Sequence, residues 1–414
     1  MRRLFRRVAV VVGAAAVTMA FLTASAGAAR SPGPVPVPSD DHFYSVPPRL
    51  ESVPPGAVLR SRRVELPPQS GALSGEAWQV LYRTTDNHWR PTATVETILV
   101  PRGLPKPGGA RPLLSYQVPE DGLALTCAPS YQLRAGTVGT IQADESSMAA
   151  ALSRGWTVVV PDYEGPESEF FGAAGTAHGV LDGIRAALRF GPAGVSSRSP
   201  VGMWGYSGGG HATAVAAQAQ RRYAPELRLS AITMGGLLAD GNETLQAVSG
   251  TVFSGDIPFA LAALEHSYPE AHVERYLNAY AQGLVDSVSH GCTTDAVKKG
   301  PFFATLAQFE AYPGSLTGGP FQRFVHDVSP VGLGGIPTAP VHDYHGSEDQ
   351  LTPVGGDRAV MRQYCAGGAT VQHVEYPGDH SAAATAGLPG ALAFLDNRFA
   401  GAPAPDNCAT IPAP

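Results

Sequence analysis

Four mostly apolar runs, separated by stretches of helical character, constrain the fold of this chain more than any other feature. The runs are PLLSYQV, WTVVVPD, PVGMWGYS and LSAITMGG, and the helix-like stretches among them span residues 146–154, 176–190 and 208–223. Strands that are apolar on both faces and alternate with helices indicate a parallel sheet covered by helices on both sides. The rhythm resumes near the C-terminus with APVHDYHG, ATVQHVEYPG and a final helix over 381–399. The sequence therefore predicts an α/β fold with a mostly parallel sheet.

Two other parts of the chain have different patterns. The earlier runs AVLRSRRVEL, AWQVLYRTT and ATVETILVP alternate apolar and polar residues, which predicts antiparallel strands with one face in water. Between about residues 240 and 328 the strand–helix rhythm is lost, and apolar residues at helical spacing predict an amphipathic helix: Val273, Tyr276, Leu277, Tyr280 and Leu284. We therefore expect a core over 58–239 and 329–414, interrupted by a helical cap over 240–328.

The N-terminal segment is predicted to be cleaved off and not to belong to the fold. Four arginines within residues 2–7 precede an apolar run over 8–22, and the small residues at 26–28 offer a cleavage site. This pattern is typical of a secretory signal peptide, predicted here over 1–28, and the run is short for a membrane anchor. The proline-dense residues 29–57 are interpreted as an extended arm. A secreted protein without a membrane span in its mature chain is expected.

The charge balance disfavours some partners. The whole chain has a formal net charge of −6, and because residues 1–28 hold four arginines and no acid, the mature chain would carry −10. A moderately acidic chain without a basic run is a poor candidate for binding nucleic acid or anionic lipid electrostatically. No H-E-x-x-H, Walker or dinucleotide motif is visible, so neither a metal nor a cofactor is predicted. No oligomeric state is predicted from these features.

The segment Gly205-Tyr206-Ser207-Gly208-Gly209 matches G-x-S-x-G, the pattern of a nucleophile elbow. A serine raised at a sharp strand-to-helix turn needs strained backbone angles. Side chains at the positions two residues before and two residues after the serine would collide with the neighbouring strand and helix. The amide after the serine then points at the substrate oxygen, at the positive end of the new helix. The apolar strand before Ser207 and the alanine-rich helix after it fit this interpretation, which requires an acid and then a histidine further along the chain.

His380 is predicted to be the base. It follows PGD directly and precedes a helix, which places it in a loop at the carboxyl end of a strand, where parallel sheets build their active sites. His373 also lies late in the chain, but the alternation of TVQHVEY makes it an ordinary strand residue. His345 is interpreted as a structural loop histidine, and His178 and His211 as structural residues on helices behind the sheet.

The acid is sought just after the preceding strand, in DYHGSEDQLTP. Asp343 belongs to the strand itself, whereas Glu348 and Asp349 follow in the loop. Asp349 is favoured because residues 346–353 have the pattern of a hydrolase acid turn, and Glu348 is the second candidate.

These residues, together with SYQVPEDGLALTCAPSY and PDYEGP, resemble the secretory lipase family typified by Candida antarctica lipase A. The resemblance covers nearly all of the mature chain. It implies an α/β-hydrolase core with a helical cap inserted after the strand that follows the nucleophile helix. It also implies that Ser207 is the nucleophile, Asp349 the acid and His380 the base. The oxyanion hole would use the amide of Gly208 and a donor from Asp121, whose alternative role is that of a turn residue before glycine.

Four cysteines occur, and none lies within a few residues of another, which excludes a zinc-type spacing. Export to an oxidising compartment makes two disulfides the expectation, although spacing alone leaves three pairings open. The family resemblance implies the pairs Cys127–Cys292 and Cys365–Cys408.

The function expected from these features is that of a secreted serine lipase that hydrolyses triacylglycerol and other medium-to-long-chain esters through an acyl-enzyme, at a lipid–water interface. The alternatives are a short-chain carboxylesterase or peptidase on the same fold, and a catalytically inactive hydrolase-like binding protein. Apolar cap residues are expected either to line an acyl tunnel or to form the cap's own core: Phe253, Phe259, Leu261, Leu264, Phe302, Phe303, Leu306 and Phe309.

Overall fold

One sheet of nine strands runs through the part of the chain described by the computed structural model, which comprises residues 34–67, 71–103, 110–136 and 141–414, with side chains in the last range from residue 144 onward. The predicted signal peptide lies outside these residues. The strands are β1 (Val58–Val64), β2 (Glu76–Thr85), β3 (Pro91–Val100), β4 (Leu113–Gln117), β5 (Thr157–Pro161), β6 (Val201–Tyr206), β7 (Leu229–Gly235), β8 (Val341–Gly346) and β9 (Val371–Tyr376).

The strand order is β1-β2-β3-β5-β4-β6-β7-β8-β9. Strands β1, β2, β3 and β5 pair antiparallel, and every pairing from β5 through β4 to β9 is parallel. The predicted mostly parallel sheet is therefore confirmed. In the parallel part, the carboxyl ends of β6, β8 and β9 lie along one edge, where connecting loops can form a site.

Helices cover both faces of this sheet, as predicted. The helices of the described residues are α1 (Pro129–Ala135), α2 (Ile141–Ser153), α3 (Ala173–Arg189), α4 (Gly208–Tyr223), α5 (Gly241–Val248), α6 (Asp256–Ser267), α7 (Ala279–Val288), α8 (Thr293–Lys299), α9 (Gly319–Val328), α10 (Pro330–Leu333), α11 (Val354–Ala366) and α12 (His380–Phe399). One apolar cluster joins the sheet to α3, α4 and α11, and a second cluster joins the opposite face to α2 and α12. Successive residues of β6, Met203 and Trp204, belong to different clusters, as the twofold period of a strand requires.

The prediction that β2 and β3 have one face in water is wrong. Nearly every residue of both strands is buried. One face packs against α3, where the Tyr82 hydroxyl donates to the Gly179 carbonyl oxygen at 2.7 Å. The other face is covered by the segment that precedes β1, whose Tyr44 and Leu50 pack with Leu81 of β2. The polar residues at alternate positions of β2 and β3 therefore contact α3 or the segment before β1 rather than solvent.

Between β7 and β8 lie helices α5 to α10, of which α5 to α9 enclose an apolar cluster of their own; we call the segment from α5 to α9 the cap. The single amphipathic helix predicted from the spacing over 273–284 is not formed. A short 3₁₀ turn spans Val273–Tyr276, Leu277 is extended, and Asn278 begins α7 by accepting the Ala281 amide on its side chain at 2.9 Å. A helix N-cap interrupts the helix at this point, although the apolar spacing continues. No helix in the described ranges has both the length and the apolar character needed to cross a membrane.

Candidate active site

Ser207 occupies the turn between β6 and α4, with φ +58° and ψ −125°. Non-glycine residues rarely adopt a positive φ, so this backbone conformation must be held by its surroundings. A Cβ atom at Gly205 would lie 2.1 Å from the Gly209 carbonyl oxygen, and one at Gly209 would lie 1.9 Å from the Gln117 carbonyl oxygen. The glycines of the motif are therefore required by the close approach of β4, β6 and α4.

Three side chains that the sequence placed far apart form one hydrogen-bonded line. Ser207 Oγ lies 2.9 Å from His380 Nε2, and His380 Nδ1 lies 2.7 Å from Asp349 Oδ2. These distances are within hydrogen-bond reach, and the chain order is serine, acid, histidine. The structure thus brings together the serine, acid and base candidates of the sequence.

Backbone and side-chain donors hold the Asp349 carboxylate in place. Its Oδ1 accepts the amides of Leu351 at 3.0 Å and Thr352 at 2.8 Å, and its Oδ2 accepts the Thr352 hydroxyl at 3.1 Å. Burial opposes ionisation, but hydrogen bonds from His345, His380 and the Thr352 amide outweigh it and hold the Asp349 pKa well below its ordinary value. Asp349 is therefore an ionised, oriented acceptor.

His380 is the first residue of α12, and the backbone around it is fixed from three sides. The preceding Asp379 caps the helix by accepting the Ala382 amide at 2.8 Å. The His380 amide donates to Gln350 Oε1 at 3.2 Å, and its carbonyl oxygen accepts the Tyr206 hydroxyl at 2.6 Å. A capped helix start and a buried tyrosine thus limit the movement of the imidazole.

The other acid and base candidates have different surroundings. Glu348 is exposed in the loop after β8. Asp343 and His373 contact each other within the sheet, where Asp343 Oδ2 lies 2.5 Å from His373 Nδ1. The prediction that His345 is a loop residue is wrong. It is a fully buried residue of β8, and its Nε2 lies 3.4 Å from Asp349 Oδ2. It is buried there because the last residues of β8 run beneath the acid turn.

Asp121 lies directly beside the amide that follows Ser207. A Cβ atom at Gly208 would lie 1.8 Å from Asp121 Oδ1, and this oxygen has no hydrogen-bond partner among the described residues. Asp121 itself has φ +40°. Burial, followed by the nearby charges of Asp256 and Asp144, raises the Asp121 pKa to about 7. A neutral carboxyl at this point is able to donate a hydrogen bond.

A cavity of about 760 Å³ opens above Ser207 and His380. Its wall is mainly apolar and includes side chains from the cap, from α12, from the loop before α3 and from the loop after β8: Phe170, Phe171, Leu245, Val248, Phe253, Phe259, Val297, Leu351 and Leu388. Of the eight cap residues named from the sequence, Phe253 and Phe259 line this cavity. Leu261, Leu264, Leu306 and Phe309 are buried in the cap's own cluster, whereas Phe302 and Phe303 are 54% and 65% exposed.

Both cysteine pairs implied by the resemblance are bonded in the structure. Cys127–Cys292 joins the segment before α1 to the residue that precedes α8 in the cap, and a β-bridge pairs Gly122 with Cys292. Cys365–Cys408 joins the end of α11 to the C-terminal tail. The segment that carries Asp121 is therefore tied to the cap.

Asp343, Asp357 and His373 form a buried group whose ligand atoms lie within 4.8 Å of one another, close enough to consider a metal ion. No such group was predicted from the sequence. The contacts of Thr352 and His345 with Asp349 were also not predicted. For Thr352, the available signal is an Asx-type turn after Asp349. For His345, the signal is its spacing of two residues from Asp343 along β8, which indicates a shared face.

The sheet order and the serine elbow together define an α/β-hydrolase fold. The crystal structure of Candida antarctica lipase A in its closed state matches with a TM-score of 0.82 and 29% identity, covering 92% of this chain and 91% of that one. A rice cell wall degrading esterase, LipA from Xanthomonas oryzae, matches with a TM-score of 0.64 at 18% identity, covering 84% of this chain and 97% of that one, which shows the shared fold alone.

The sequence relatives narrow the class further. The model of the secretory lipase family matches residues 131–407. Lipase 10 of Candida albicans is 34% identical over 394 residues, which cover 90% of this chain and 83% of that protein. A protein of Mycobacterium tuberculosis named probable inactive lipase MT1628 is 37% identical over 384 residues, covering 90% of this chain and 84% of that protein. The chain belongs to the secretory lipase family, although the name of this last relative means that membership alone does not establish catalysis.

Proposed function

We propose that this protein is a serine lipase that hydrolyses medium-to-long-chain carboxylic esters, including triacylglycerol, through an acyl-enzyme. The observation that carries the proposal is the continuous line from Ser207 Oγ through His380 to Asp349, with contacts of 2.9 and 2.7 Å. The lipase family and the hydrolase fold support the broader class of esterase or lipase.

In the proposed reaction, His380 Nε2 takes the proton of Ser207 as Oγ attacks the ester carbonyl carbon. The resulting imidazolium is stabilised by Asp349, which also keeps the imidazole in the tautomer with a proton on Nδ1. The same proton then passes to the leaving alcohol as the acyl-enzyme forms. A water molecule, deprotonated by His380, attacks the acyl carbon, and the proton returns to Ser207 as the acid leaves.

Two donors are proposed for the oxyanion. The Gly208 amide lies at the start of α4, where free amides and the helix dipole favour negative charge. The second donor is the neutral carboxyl of Asp121 rather than its amide, because Asp121 Oδ1 faces the Gly208 position and has no hydrogen-bond partner among the described residues. The raised pKa of Asp121 supports this assignment.

The substrate preference follows from the cavity. An apolar space of about 760 Å³ above the serine can take up an acyl chain. Each CH₂ transferred from water contributes roughly 0.8 kcal/mol, so the specificity constant should rise with chain length until the space is full. We also infer export through the signal peptide over 1–28, a cap over 240–328, and action at a lipid–water interface. The family and the two disulfides are consistent with an extracellular protein.

A fluorophosphonate probe tests the proposed nucleophile. The wild-type protein should be labelled covalently at Ser207, and Ser207→Ala should be unlabelled and should lose on the order of 10⁵-fold or more in kcat while remaining folded. Ser287→Ala, which changes an exposed serine on α7, is the matched control and should behave as wild type. Absence of labelling in the wild type would favour the alternative of a catalytically inactive binding protein.

A chain-length series of p-nitrophenyl esters, with emulsified triacylglycerol and peptide substrates beside it, separates the remaining alternatives. A rise of kcat/KM from acetate to medium or long chains supports the lipase. A monotonic fall from acetate with untouched triacylglycerol would identify a short-chain esterase, and cleavage of peptides would identify a peptidase.

A further inference from the structure

A group of four buried ionisable side chains lies behind Asp349, on the side away from Ser207. We name it the β8–α11 cluster; its members are Asp343, His345, Asp357 and His373. Asp343 and His345 are two residues apart on β8 and share a face, His373 lies opposite Asp343 on β9, and Asp357 lies on α11 above them. The proposed mechanism uses none of these residues.

The hydrogen-bond partners of His345 determine where its protons are. Its Nε2 lies 2.6 Å from the Thr352 carbonyl oxygen and 3.4 Å from Asp349 Oδ2, and both oxygens can only accept. Nε2 therefore carries a proton. Its Nδ1 lies 3.3 Å from Asp357 Oδ2. A lone pair on Nδ1 facing an ionised carboxylate oxygen would be repulsive, so one of the two groups carries a proton. Burial disfavours a charged His345, but the adjacent Asp357, Asp349 and Asp343 outweigh burial and raise its pKa well above the ordinary value, so we assign the proton to Nδ1 and treat His345 as an imidazolium.

Asp357 depends on this proton. Its side chain is fully buried, and neither oxygen has a hydrogen bond of good geometry from any described residue. An unpaired buried charge is strongly unfavourable, so the imidazolium of His345, the nearest cation at 3.3 Å, is what neutralises it. The other nearby ring, His373, has its Nδ1 3.6 Å from Asp357 and only 2.5 Å from Asp343.

The remaining charged groups around the cluster are already paired. His373 Nε2 lies 3.0 Å from Glu375 Oε1, and Arg358 of α11 donates twice to the Glu375 carboxylate, at 2.7 and 2.8 Å. On the far side of Asp349 stands His380 of α12. His342 lies on the opposite face of β8, where its Nδ1 lies 3.1 Å from Gln372 Oε1. None of these groups competes for the Asp357 carboxylate as closely as His345 does.

A bound cation explains the cluster less well than these protons do. In zinc sites with bonds of about 2.0–2.1 Å, tetrahedral ligand atoms stand about 3.3 Å apart. The 2.5 Å contact between His373 Nδ1 and Asp343 Oδ2 is that of a direct hydrogen bond and leaves no such separation.

We propose that His345 is a positioning residue, whose imidazolium bridges Asp357 and Asp349 and thereby holds the Asp349 carboxylate toward His380. The proposal rests on the proposed function for its kinetic consequence. Burial disfavours the charged form of His345, but the adjacent Asp357, Asp349 and Asp343 outweigh it and raise the His345 pKa well above its ordinary value. The same bridge contributes to the depressed pKa of Asp349.

The kinetic test compares His345→Gln with His342→Gln. Glutamine keeps an N–H donor and removes the charge, so His345→Gln should lower kcat on the order of 10- to 100-fold with KM nearly unchanged, as expected when a reacting group is displaced. His342→Gln changes a buried histidine of the same strand that faces away from Asp349, and it should leave kcat as in wild type. Equal kcat in His345→Gln and wild type would overturn the proposal.

A double-mutant cycle tests the bridge itself. Asp357→Asn is nearly isosteric and should lower kcat in the same direction, because Asp357 acts through His345. The double variant should be no slower than His345→Gln alone. Additive losses would overturn the bridge, as would a stoichiometric metal in the purified wild type that is lost in Asp343→Asn.

A spectroscopic test does not require turnover. The proton between His380 Nδ1 and Asp349 should give a low-field ¹H resonance in wild type and in His342→Gln, and this resonance should move or vanish in His345→Gln and Asp357→Asn. An unchanged resonance in folded His345→Gln contradicts the positioning role. If wild type fails to hydrolyse any ester, the proposed function fails, while the resonance still decides whether His345 orients Asp349.

Discussion

At the scale of single residues, Asp121 raises the question of how an acid can assist a reaction that develops negative charge beside it. Its carboxyl oxygen faces the Gly208 position without a hydrogen-bond partner among the described residues. An ionised carboxylate there would repel an oxyanion, and a protonated one would stabilise it. Burial raises its pKa to about 7, so the neutral form is populated near neutral pH.

Asp121→Asn should therefore change the pH dependence of ester hydrolysis. The wild type should lose oxyanion stabilisation as the pH rises through about 7, whereas asparagine donates at every pH. The ratio of kcat/KM, variant over wild type, should increase from about pH 6 to pH 9. A ratio that stays constant over this range would show that the carboxyl of Asp121 does not donate.

At the scale of structural elements, the strand-to-helix turn at Ser207 depends on contacts that leave no room for a side chain. Gly205→Ala would place a methyl group 2.1 Å from the Gly209 carbonyl oxygen, so β6 and α4 would have to separate. We expect a destabilisation of several kcal/mol and loss of esterase activity, as overpacking against backbone is poorly relieved. Thermal unfolding and the yield of folded protein are the measurements.

Gly191→Ala is the control for this substitution. Gly191 has no heavy atom within 4 Å of the position a Cβ would take, and its φ lies outside the positive region. The free energy of unfolding of the Gly191→Ala variant should differ from that of wild type by less than about 0.5 kcal/mol. Similar losses at Gly191 and Gly205 would mean that the close approach of α4 does not explain the glycine.

The comparison of sequence with structure shows which elements carry local signals. The parallel strands were predictable because each is a short, mostly apolar run bounded by turn residues, and β1 to β3 were predictable from alternation of apolar and polar residues. Helix α4 was predictable because the glycine turn is followed directly by an alanine-rich run. The apolar spacing across Asn278 predicted one continuous helix. Spacing of apolar residues carries no information about the Asn278 side chain, which caps the start of a separate helix. The contact between His345 and Asp357 joins β8 to α11 through burial, and no local pattern encodes it.

At the scale of the whole molecule, buried acids set how stability changes with pH. Burial raises the pKa of many acids among the described residues, including Asp121, Asp144, Asp162 and Asp343, for which it reaches about 7, and Asp256, for which it reaches about 6. In the unfolded chain these groups ionise near pH 4, so their contribution is fully present below that pH and is lost as the pH rises through about 7. Burial lowers the pKa of His373, but its carboxylate neighbours outweigh burial and raise this pKa to about 9. His373 therefore changes stability with pH in the same direction as the acids.

Three buried histidines oppose this trend. Burial lowers the pKa of His178, His211 and His342 to about 4, so their contribution is present above about pH 6.5 and is lost as the pH falls. Because the acids are more numerous than these histidines, and because the acids and His373 are unopposed above about pH 6.5, we expect a higher thermal unfolding midpoint at about pH 5.5 than at about pH 8. A higher midpoint at pH 8 would contradict this expectation. Asp144→Asn should narrow the difference, since it removes one ionising group.

The two disulfides should differ in their contribution to stability. Cys127–Cys292 spans 165 residues and Cys365–Cys408 spans 43. Because the entropy of the unfolded chain lost on cross-linking grows with the logarithm of loop length, the longer loop should contribute about 1 kcal/mol more. Urea unfolding of the two double cysteine-to-serine variants measures the difference. An equal or larger loss from the shorter loop, or free thiols in the denatured wild type, would contradict the prediction.

The bond between Cys127 and Cys292 also bears on when the molecule matures. Thiols stay reduced in the cytosol, so we expect this bond to form only after export. Until then, the segment that carries Asp121 lacks its covalent anchor to the cap. If the chain is exported as proposed, its site would be completed only outside the cell, and the proposed ester hydrolysis would not act on esters inside the producing cell during synthesis.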